Sequence, residues 1–336
     1  MRESYSLTEA YVDYYKQKDK RNRSVLVSRA AFWLLERVVS DKSGSVLLGA
    51  LVDSGWARGS RNLRFPKPEA TIQLANESWA RLGVVHELAS FERFLRRSVV
   101  DAIEFSDELR NLKLFEHMHD DFAQTKNRCS HCQDAAWKFV QSHSFTTRAE
   151  SLAEDLGLDL GPVKALAPLL NYFWLSRNRI VHEDAYCGQR LAELSGSREL
   201  TDSLAHWNKN FSKKAAPQLP NFLEKERIVF DHAHVILCGA LCYRIATTFT
   251  NALAQRMGDR AITFMSLYYA YFAENHPHQA VNHKQPEQAV GNFLSYRYHF
   301  TGGKKGTLVS RLRSYGLWEL AIHGFRNKYL LVKKKT

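Results

Sequence analysis

Apolar side chains recur at helical spacing along much of this chain, and this period restricts its fold class more than any other feature. The spacing is clearest over residues 78–104 and returns over residues 169–184. Residues three or four apart lie on one face of an α-helix, so each stretch predicts a helix with one buried face. Further helices are predicted over residues 25–40, 222–255 and 262–274. We therefore expect a mainly α fold.

Breaks in the helical pattern divide the 336 residues into three predicted regions. Residues 1–75 form an N-terminal helical extension, which ends in a glycine-, proline- and arginine-rich loop over residues 55–68. Residues 76–256 form a helical bundle. Residues 257–336 form a small basic α+β region, where residues 293–300 and 325–332 are candidate strands. The polar stretch of residues 189–220 is predicted to be irregular, and Gly188 to end the helix before it.

The composition is that of an ordinary globular protein with a strong positive charge. No apolar run reaches the ~18 residues of a membrane span, and the N-terminus lacks the apolar region of a signal peptide. Five cysteines without a disulfide pattern favour a cytoplasmic location. The net charge of +12 favours a polyanionic partner.

Most of this charge lies near the C-terminus. From residue 281 onward there are eleven Lys or Arg against two Glu, so 11 − 2 = +9 of the +12 is found here, with Tyr and Trp side chains interspersed. Cations beside stacking rings suit RNA or another single strand. We predict that RNA is bound by Lys304, Lys305, Arg311 and Arg313. A solvated basic tail explains residues 333–335 equally well.

Two predicted helices carry a charged residue within their apolar stripes. Arg177 falls within the stripe of residues 169–184, and Glu92 falls within that of residues 78–104. A buried charge is costly unless it is paired. We therefore expect Glu92 to hold Arg177, either as a structural ion pair or beside a shared polar pocket. Asn178 and His182 are four residues apart on a neighbouring face, where the amide can orient the imidazole.

The pattern Arg177-Asn178 followed by His182, on a helix of an all-helical region, resembles the HEPN superfamily. The resemblance covers about residues 80–255, and it includes the helix over residues 90–99 and the stretch over residues 219–230. It implies a helical bundle that dimerises, and in many members a metal-independent ribonuclease. It also implies catalytic roles for Arg177, Asn178 and His182, with no cofactor, and a toxin or anti-phage defence role in which an antitoxin or another defence protein is a partner.

The bare spacing occurs elsewhere in the chain. Arg81 and His86, and Arg227 and His232, have the same gap, but an apolar residue follows each arginine. Arg110-Asn111 followed by His117 is the stronger rival of the proposed motif. Cys129 and Cys132 form a lone CxxC pair, for which ordinary loop cysteines, a redox pair and a metal site remain open. We predict no metal in the active site.

Metal-free cleavage of RNA needs a group that moves protons and a cation that stabilises the phosphorane. Histidine suits the first task and arginine the second. On one helix Arg177 and His182 point ~140° apart with ~7.5 Å of rise, so one copy does not bring them together easily. A two-fold axis between two copies would bring the arginine and histidine pairs together. We expect a homodimer with one composite site. Two alternatives remain: a non-catalytic module that binds RNA or a nucleotide, and a DNA-binding regulator that acts through its C-terminal region.

Overall fold

The computed structural model describes residues 8–41, 68–110, 153–154, 156–271, 310 and 313–316. These residues are mainly helical, which confirms the predicted class. The helices are α1 (Glu9–Asp41), α2 (Pro68–Phe105), α3 (Asp107–Arg110), α4 (Ala167–His182), α5 (Gln189–Ser195), α6 (Arg198–Asn210) and α7 (His232–Tyr271), with a 3-10 helix at Gly161–Leu166.

Two predictions between α4 and α7 are wrong. Residues 222–230 are not helical, and α7 begins only at His232, where Asp231 caps it: the backbone N–H of His234 donates to Asp231 Oδ1 over 3.0 Å. Residues 189–210 form two short helices, α5 and α6, instead of an irregular stretch. Gly188 therefore precedes α5, and does not end α4.

The chain divides into two compact units, each built from separate segments. The first comprises residues 1–16, 91–164 and 243–336, and the second comprises residues 17–90 and 165–242. The boundaries predicted from sequence, after residues 75 and 256, fall within α2 and α7. Arg177, Asn178 and His182 all belong to the second unit, whereas Glu92 and the C-terminal region belong to the first.

The first unit packs the start of α1 against α2 and α7 through aromatic rings. Thr8 precedes α1 and caps its first turn: its side chain accepts from the Tyr11 N–H and bonds to the Thr250 hydroxyl over 2.7 Å. Phe94 contacts both Tyr11 and Phe249 edge-on, with ring centroids 6.3 and 5.9 Å apart. The Ala10 N–H donates to Asp101 across the same core. The helix start is thus fixed by partners that are distant in sequence.

In the second unit, α2 and α7 approach closely because glycine replaces a side chain at two contact points. A Cβ at Gly83 would lie 2.8 Å from Val235 Cγ1, and one at Gly239 would lie 3.2 Å from the Glu87 carboxyl carbon. Glu87 is buried there and forms an ion pair with the buried Arg21 over 3.0 Å. The pairing offsets the desolvation of both charges.

Helix α7 contains a break at Gly258, whose backbone is in the left-handed region (φ 76°) that glycine adopts without strain. The part of α7 that follows this break is buried at Ile262, Thr263 and Met265. The segment His232–Thr263 is long and apolar enough to cross a membrane, and 61% of its most apolar window is buried within the protein. Such burial is typical of a core helix.

His232 lies in a buried aromatic cluster at the start of α7. Its ring stacks on Trp79 of α2 at 4.9 Å between centroids and contacts Phe32 of α1 at 5.9 Å. The imidazole is 4% exposed and its Nε2 has no hydrogen-bond partner. Burial lowers the pKa of His232 below its ordinary value of 6.5, and Arg29 lowers it further, whereas Asp231 and Glu36 act in the opposite direction.

This burial predicts that the fold weakens in mild acid. In the unfolded chain the His232 imidazole binds a proton at the ordinary histidine pKa, whereas in the folded protein it binds one only at a lower pH. The contribution of His232 is thus fully present above about pH 6.5 and is lost as pH falls through the lowered pKa. Urea unfolding at pH 7.5 and pH 5.5 should show a smaller acid loss for His232→Phe than for wild type. The exposed His86 gives a control, since His86→Gln should behave as wild type. An equal acid loss in all three proteins would contradict the prediction.

Candidate active site

Helix α4 carries the candidate site, and its apolar face explains why these residues form a helix. Pro168 lies in the first turn, as predicted, where its missing N–H costs nothing. Tyr172 and Phe173 are fully buried and contact Phe230 with ring centroids 6.2 and 5.9 Å away. The Tyr172 hydroxyl donates to the Pro220 carbonyl over 2.9 Å. The aromatic segment of residues 220–230 therefore covers the buried face of α4.

Arg177 lies at the rim of this buried face and is half-buried. Its guanidinium carbon is 5.1 Å from the centre of the Trp174 ring, a cation–π contact. One terminal nitrogen donates to the Asn178 side-chain oxygen over 3.0 Å, and the buried Nε has no hydrogen-bond partner. Within the described residues of the second unit, no carboxylate forms an ion pair with Arg177. The cation is held in place but not neutralised.

His182 is the last residue of α4 and is exposed. Val181 before it, which the sequence places on the apolar stripe, is 46% exposed, so the last turn of α4 emerges into solvent. The structure brings the Asn178 oxygen to Arg177, and it gives Asn178 no hydrogen bond with His182. The imidazole is therefore open to a ligand or a partner surface.

The turn after His182 is wound around Arg179. The Arg179 carbonyl accepts from the N–H groups of Glu183 and Ala185 over 2.9 and 3.2 Å. Its guanidinium forms an ion pair with Glu183 and donates from Nε to the Tyr186 carbonyl over 2.8 Å. Asp184 and Ala185 adopt left-handed backbone angles (φ 53° and 64°), which side chains other than glycine rarely take. Such strain persists only where surrounding contacts enforce it.

Gly188 makes room for this arrangement. A Cβ at position 188 would lie 2.8 Å from the guanidinium carbon of Arg179 and 3.2 Å from its Nε. No function was predicted for Arg179 or Gly188 from the sequence. The available signal was the i,i+4 pairing of Arg179 with Glu183, a surface pattern common on helices.

Cys187 is the buried residue of the same turn. Its N–H donates to the Glu226 carbonyl over 2.7 Å, and its carbonyl accepts from the Lys225 N–H over 2.8 Å. Burial raises the pKa of the Cys187 thiol, an effect that Arg179 partly offsets. A raised pKa favours the protonated thiol, which is the less nucleophilic form.

The remaining predicted residues are placed as follows. Glu92 forms an ion pair with Arg96 on its own helix over 2.6 Å, and its predicted contact with Arg177 stays a prediction. Arg313 is exposed. Lys304, Lys305 and Arg311 lie outside the described residues, as do Cys129, Cys132 and His117. Among the described residues, no three His, Cys, Asp or Glu side chains form a cluster that could hold a metal ion.

Two of the rival Arg–His pairs have structural roles. The buried Arg81 guanidinium donates to the Ile228 carbonyl over 3.1 Å and to the Ser78 hydroxyl over 2.9 Å. His232 lies in the aromatic cluster of α7. Neither the Arg81/His86 pair nor the Arg227/His232 pair therefore offers both a cation and an imidazole to solvent.

Comparisons of this chain with protein-family models, with curated proteins and with solved structures find no match.

The contacts around Gly188 predict non-additive mutations. Gly188→Ala should displace the Arg179 guanidinium and break its bond to Tyr186, at a cost of about 1 kcal/mol in the free energy of unfolding. Arg179→Ala should cost a similar amount by removing the same contacts. Added to Arg179→Ala, Gly188→Ala should cost little, because the methyl group now finds space. Urea unfolding of the four proteins measures this coupling, and additive costs would contradict it.

Proposed function

We propose that this protein is a metal-independent endoribonuclease that acts as a homodimer. One observation carries the proposal: an unneutralised arginine, Arg177, and an exposed histidine, His182, lie on the last two turns of one helix. The turn that follows is fixed by Arg179. The net charge of +12 gives RNA a favourable electrostatic field. The likeness of Arg177-Asn178 and His182 to the HEPN motif supports the same activity.

In this reaction the RNA 2′-oxygen attacks the adjacent phosphorus. The 2′-hydroxyl loses its proton to an imidazole, and the bond to the 5′-oxygen breaks as that oxygen gains a proton. The products carry a cyclic phosphate, which water can open to a 3′-phosphate, and a 5′-hydroxyl. His182 is the candidate for proton transfer. Arg177 stabilises the charge that develops on the phosphorane, with Asn178 holding one of its nitrogens.

The proposal needs two copies of the chain because of the helix geometry. Arg177 and His182 are five residues apart, which on an ideal helix means ~7.5 Å of rise and ~140° of rotation. A two-fold axis beside the end of α4 would bring the arginine of one copy to the histidine of the other. The exposed Val181 supplies apolar surface next to His182 for such a contact.

The HEPN likeness also motivates a biological role for the cleavage. We propose that the protein acts in the cytoplasm as a toxin or an anti-phage effector, restrained by an antitoxin or activated by another defence protein. Under this proposal, expression of wild type arrests growth and expression of His182→Ala does not.

The activity is tested with total RNA in the presence of EDTA. Wild type should cut RNA and leave cyclic or 3′-phosphate and 5′-hydroxyl ends, which end-labelling identifies. Arg177→Ala and His182→Ala should each lower the rate by at least 100-fold, an effect of the order expected for loss of a general acid–base or charge-stabilising group.

Matched controls come from the same unit of the protein. His86→Ala removes an exposed histidine that also follows an arginine by five positions, and Arg198→Ala removes a surface arginine paired with Asp202. Both should cut as wild type does. Cleavage that needs added metal, or that survives His182→Ala, would reject the proposal. Salt-sensitive RNA binding without cleavage would favour the non-catalytic module.

The dimer is tested by placing a charge beside His182. Val181→Asp should yield a monomer in sedimentation velocity and abolish cleavage, because a carboxylate at an apolar interface is left desolvated and unpaired. Leu82→Asp is the control, since Leu82 is another exposed apolar residue of a helix (64%) outside the proposed interface. A Val181→Asp protein that stays dimeric, or a monomer that still cleaves RNA, would contradict the composite site.

A further inference from the structure

Four residues beyond His182 the chain forms a short antiparallel pairing with a segment far along the sequence. Tyr186 and Arg227 are directly opposite each other in an isolated β-bridge. The Cys187 N–H donates to the Glu226 carbonyl and the Ile228 N–H to the Ala185 carbonyl, over 2.7 and 2.8 Å. These bonds flank the Tyr186–Arg227 pair, so the pair itself is of the non-hydrogen-bonded kind, in which facing side chains are closest.

The bridge has one buried face and one open face. Ala185, Cys187 and Ile228 are at most 6% exposed and face inward. Side chains alternate along paired strands, so Tyr186 and Arg227 point the other way, and both are exposed, Tyr186 by 50%. The Tyr186 carbonyl is also held by Arg179. An aromatic ring and a guanidinium are thus presented side by side on a fixed backbone.

Neither side chain is used within the described part of the protein. The Tyr186 ring makes no ring contact there and its hydroxyl no hydrogen bond, and Arg227 has no ion pair or hydrogen bond through its side chain. Two of the neighbouring carboxylates are partly engaged: Glu183 pairs with Arg179, and Glu226 accepts from the Leu223 N–H. Burial lowers the pKa of the Arg81 guanidinium, and the charge of Arg227 lowers it further.

Two acidic residues reduce the positive charge around Tyr186 and Arg227. Asp184 and Glu224 are exposed and have no ion pair among the described residues. A site that bound phosphate by charge alone would be weakened by them. An aromatic ring stacks on a base whatever the local charge is, and one arginine beside the ring contributes a single phosphate contact. The chemistry therefore fits one nucleotide of an unpaired strand better than a long run of phosphates.

We propose that Tyr186 and Arg227 form a subsite for one unpaired nucleotide of single-stranded RNA, with the base stacked on Tyr186 and a phosphate bonded to Arg227. The choice of RNA as ligand rests on the proposed function. The subsite lies four residues from His182, so the nucleotide it holds flanks the bond to be cut. It would act in addition to the basic C-terminal region, to which the sequence alone assigned RNA binding.

The subsite is tested by binding, in a full-length His182→Ala background in which RNA is not consumed. The probe is a short, unstructured, fluorescently labelled oligoadenylate, and its affinity is measured by anisotropy at several salt concentrations. Tyr186→Ala should weaken binding about tenfold without changing the salt dependence, since stacking contributes about 1–3 kcal/mol per base. Tyr186→Phe should bind as the parent does. Arg227→Gln should weaken binding and lower the slope of log K against log salt by about 0.7, the value for one phosphate contact on a single strand.

Controls are Tyr15→Ala, which removes an equally exposed tyrosine (50%), and Arg198→Gln; both should leave the affinity unchanged. Unchanged affinity of Tyr186→Ala, absence of any oligoadenylate binding, or equal losses for Tyr186→Ala and Tyr186→Phe would overturn the subsite. A shift of Tyr186→Ala from dimer to monomer in sedimentation would also overturn it, because a second copy then covers the ring.

The two proposals fail separately. If wild type does not cut RNA but Tyr186→Ala still weakens binding, the subsite stands and the nuclease proposal falls. If wild type cuts RNA while Tyr186→Ala and Arg227→Gln bind and cut as the parents do, the nuclease stands and the subsite falls.

Discussion

Arg179 joins the end of α4 to the segment of residues 183–187 that follows it, and the candidate site depends on this one side chain. It reaches forward to Tyr186, pairs with Glu183, and occupies the space that any side chain at position 188 would need. Its carbonyl ends the helix by accepting two N–H groups. The backbone directly after His182 and the Tyr186 carbonyl are therefore held by the same residue. A surface ion pair alone contributes little to stability, but here it is combined with a backbone bond and a close contact.

Burial decides what an arginine and a histidine at this spacing can do. Arg81 and His86 have the same separation as Arg177 and His182, but the Arg81 guanidinium donates two hydrogen bonds to groups inside the protein. Among the described residues of its unit, Arg177 donates one side-chain hydrogen bond, to its neighbour Asn178, and the rest of its guanidinium lies at a half-buried rim. A guanidinium with unused donors beside solvent can still bind a phosphate. The motif is therefore informative only together with its surroundings.

The sequence was sufficient for helices whose apolar period is long and regular, such as α4 and the central part of α2. It was misleading over residues 222–230. There Phe222, Ile228 and Phe230 have helix-like spacing, but the segment is not helical and these residues are buried against α4 and residues 185–187. Partners distant in sequence decided that outcome. Helices α5 and α6 were missed because polar residues dominate them; the Ser197 cap, which accepts from the Leu200 N–H, was the local signal. At the candidate site, the sequence pointed to Arg177 and His182, whose roles stay predictions, but it could not indicate the Arg179–Gly188 contact, which exists only in three dimensions.

Arg177 also shows what the proposed site would cost the fold. Phe173 and Trp174 on the preceding turn are buried apolar residues, and the Arg177 Nε is buried without a hydrogen bond. An apolar side chain there would avoid the desolvation of a charge, so stability does not account for arginine at this position. The Trp174 ring and the Asn178 oxygen reduce that penalty without neutralising the cation. Because a neutralising carboxylate would compete with a phosphate for the same donors, the incomplete pairing is the property that a phosphate-binding role requires.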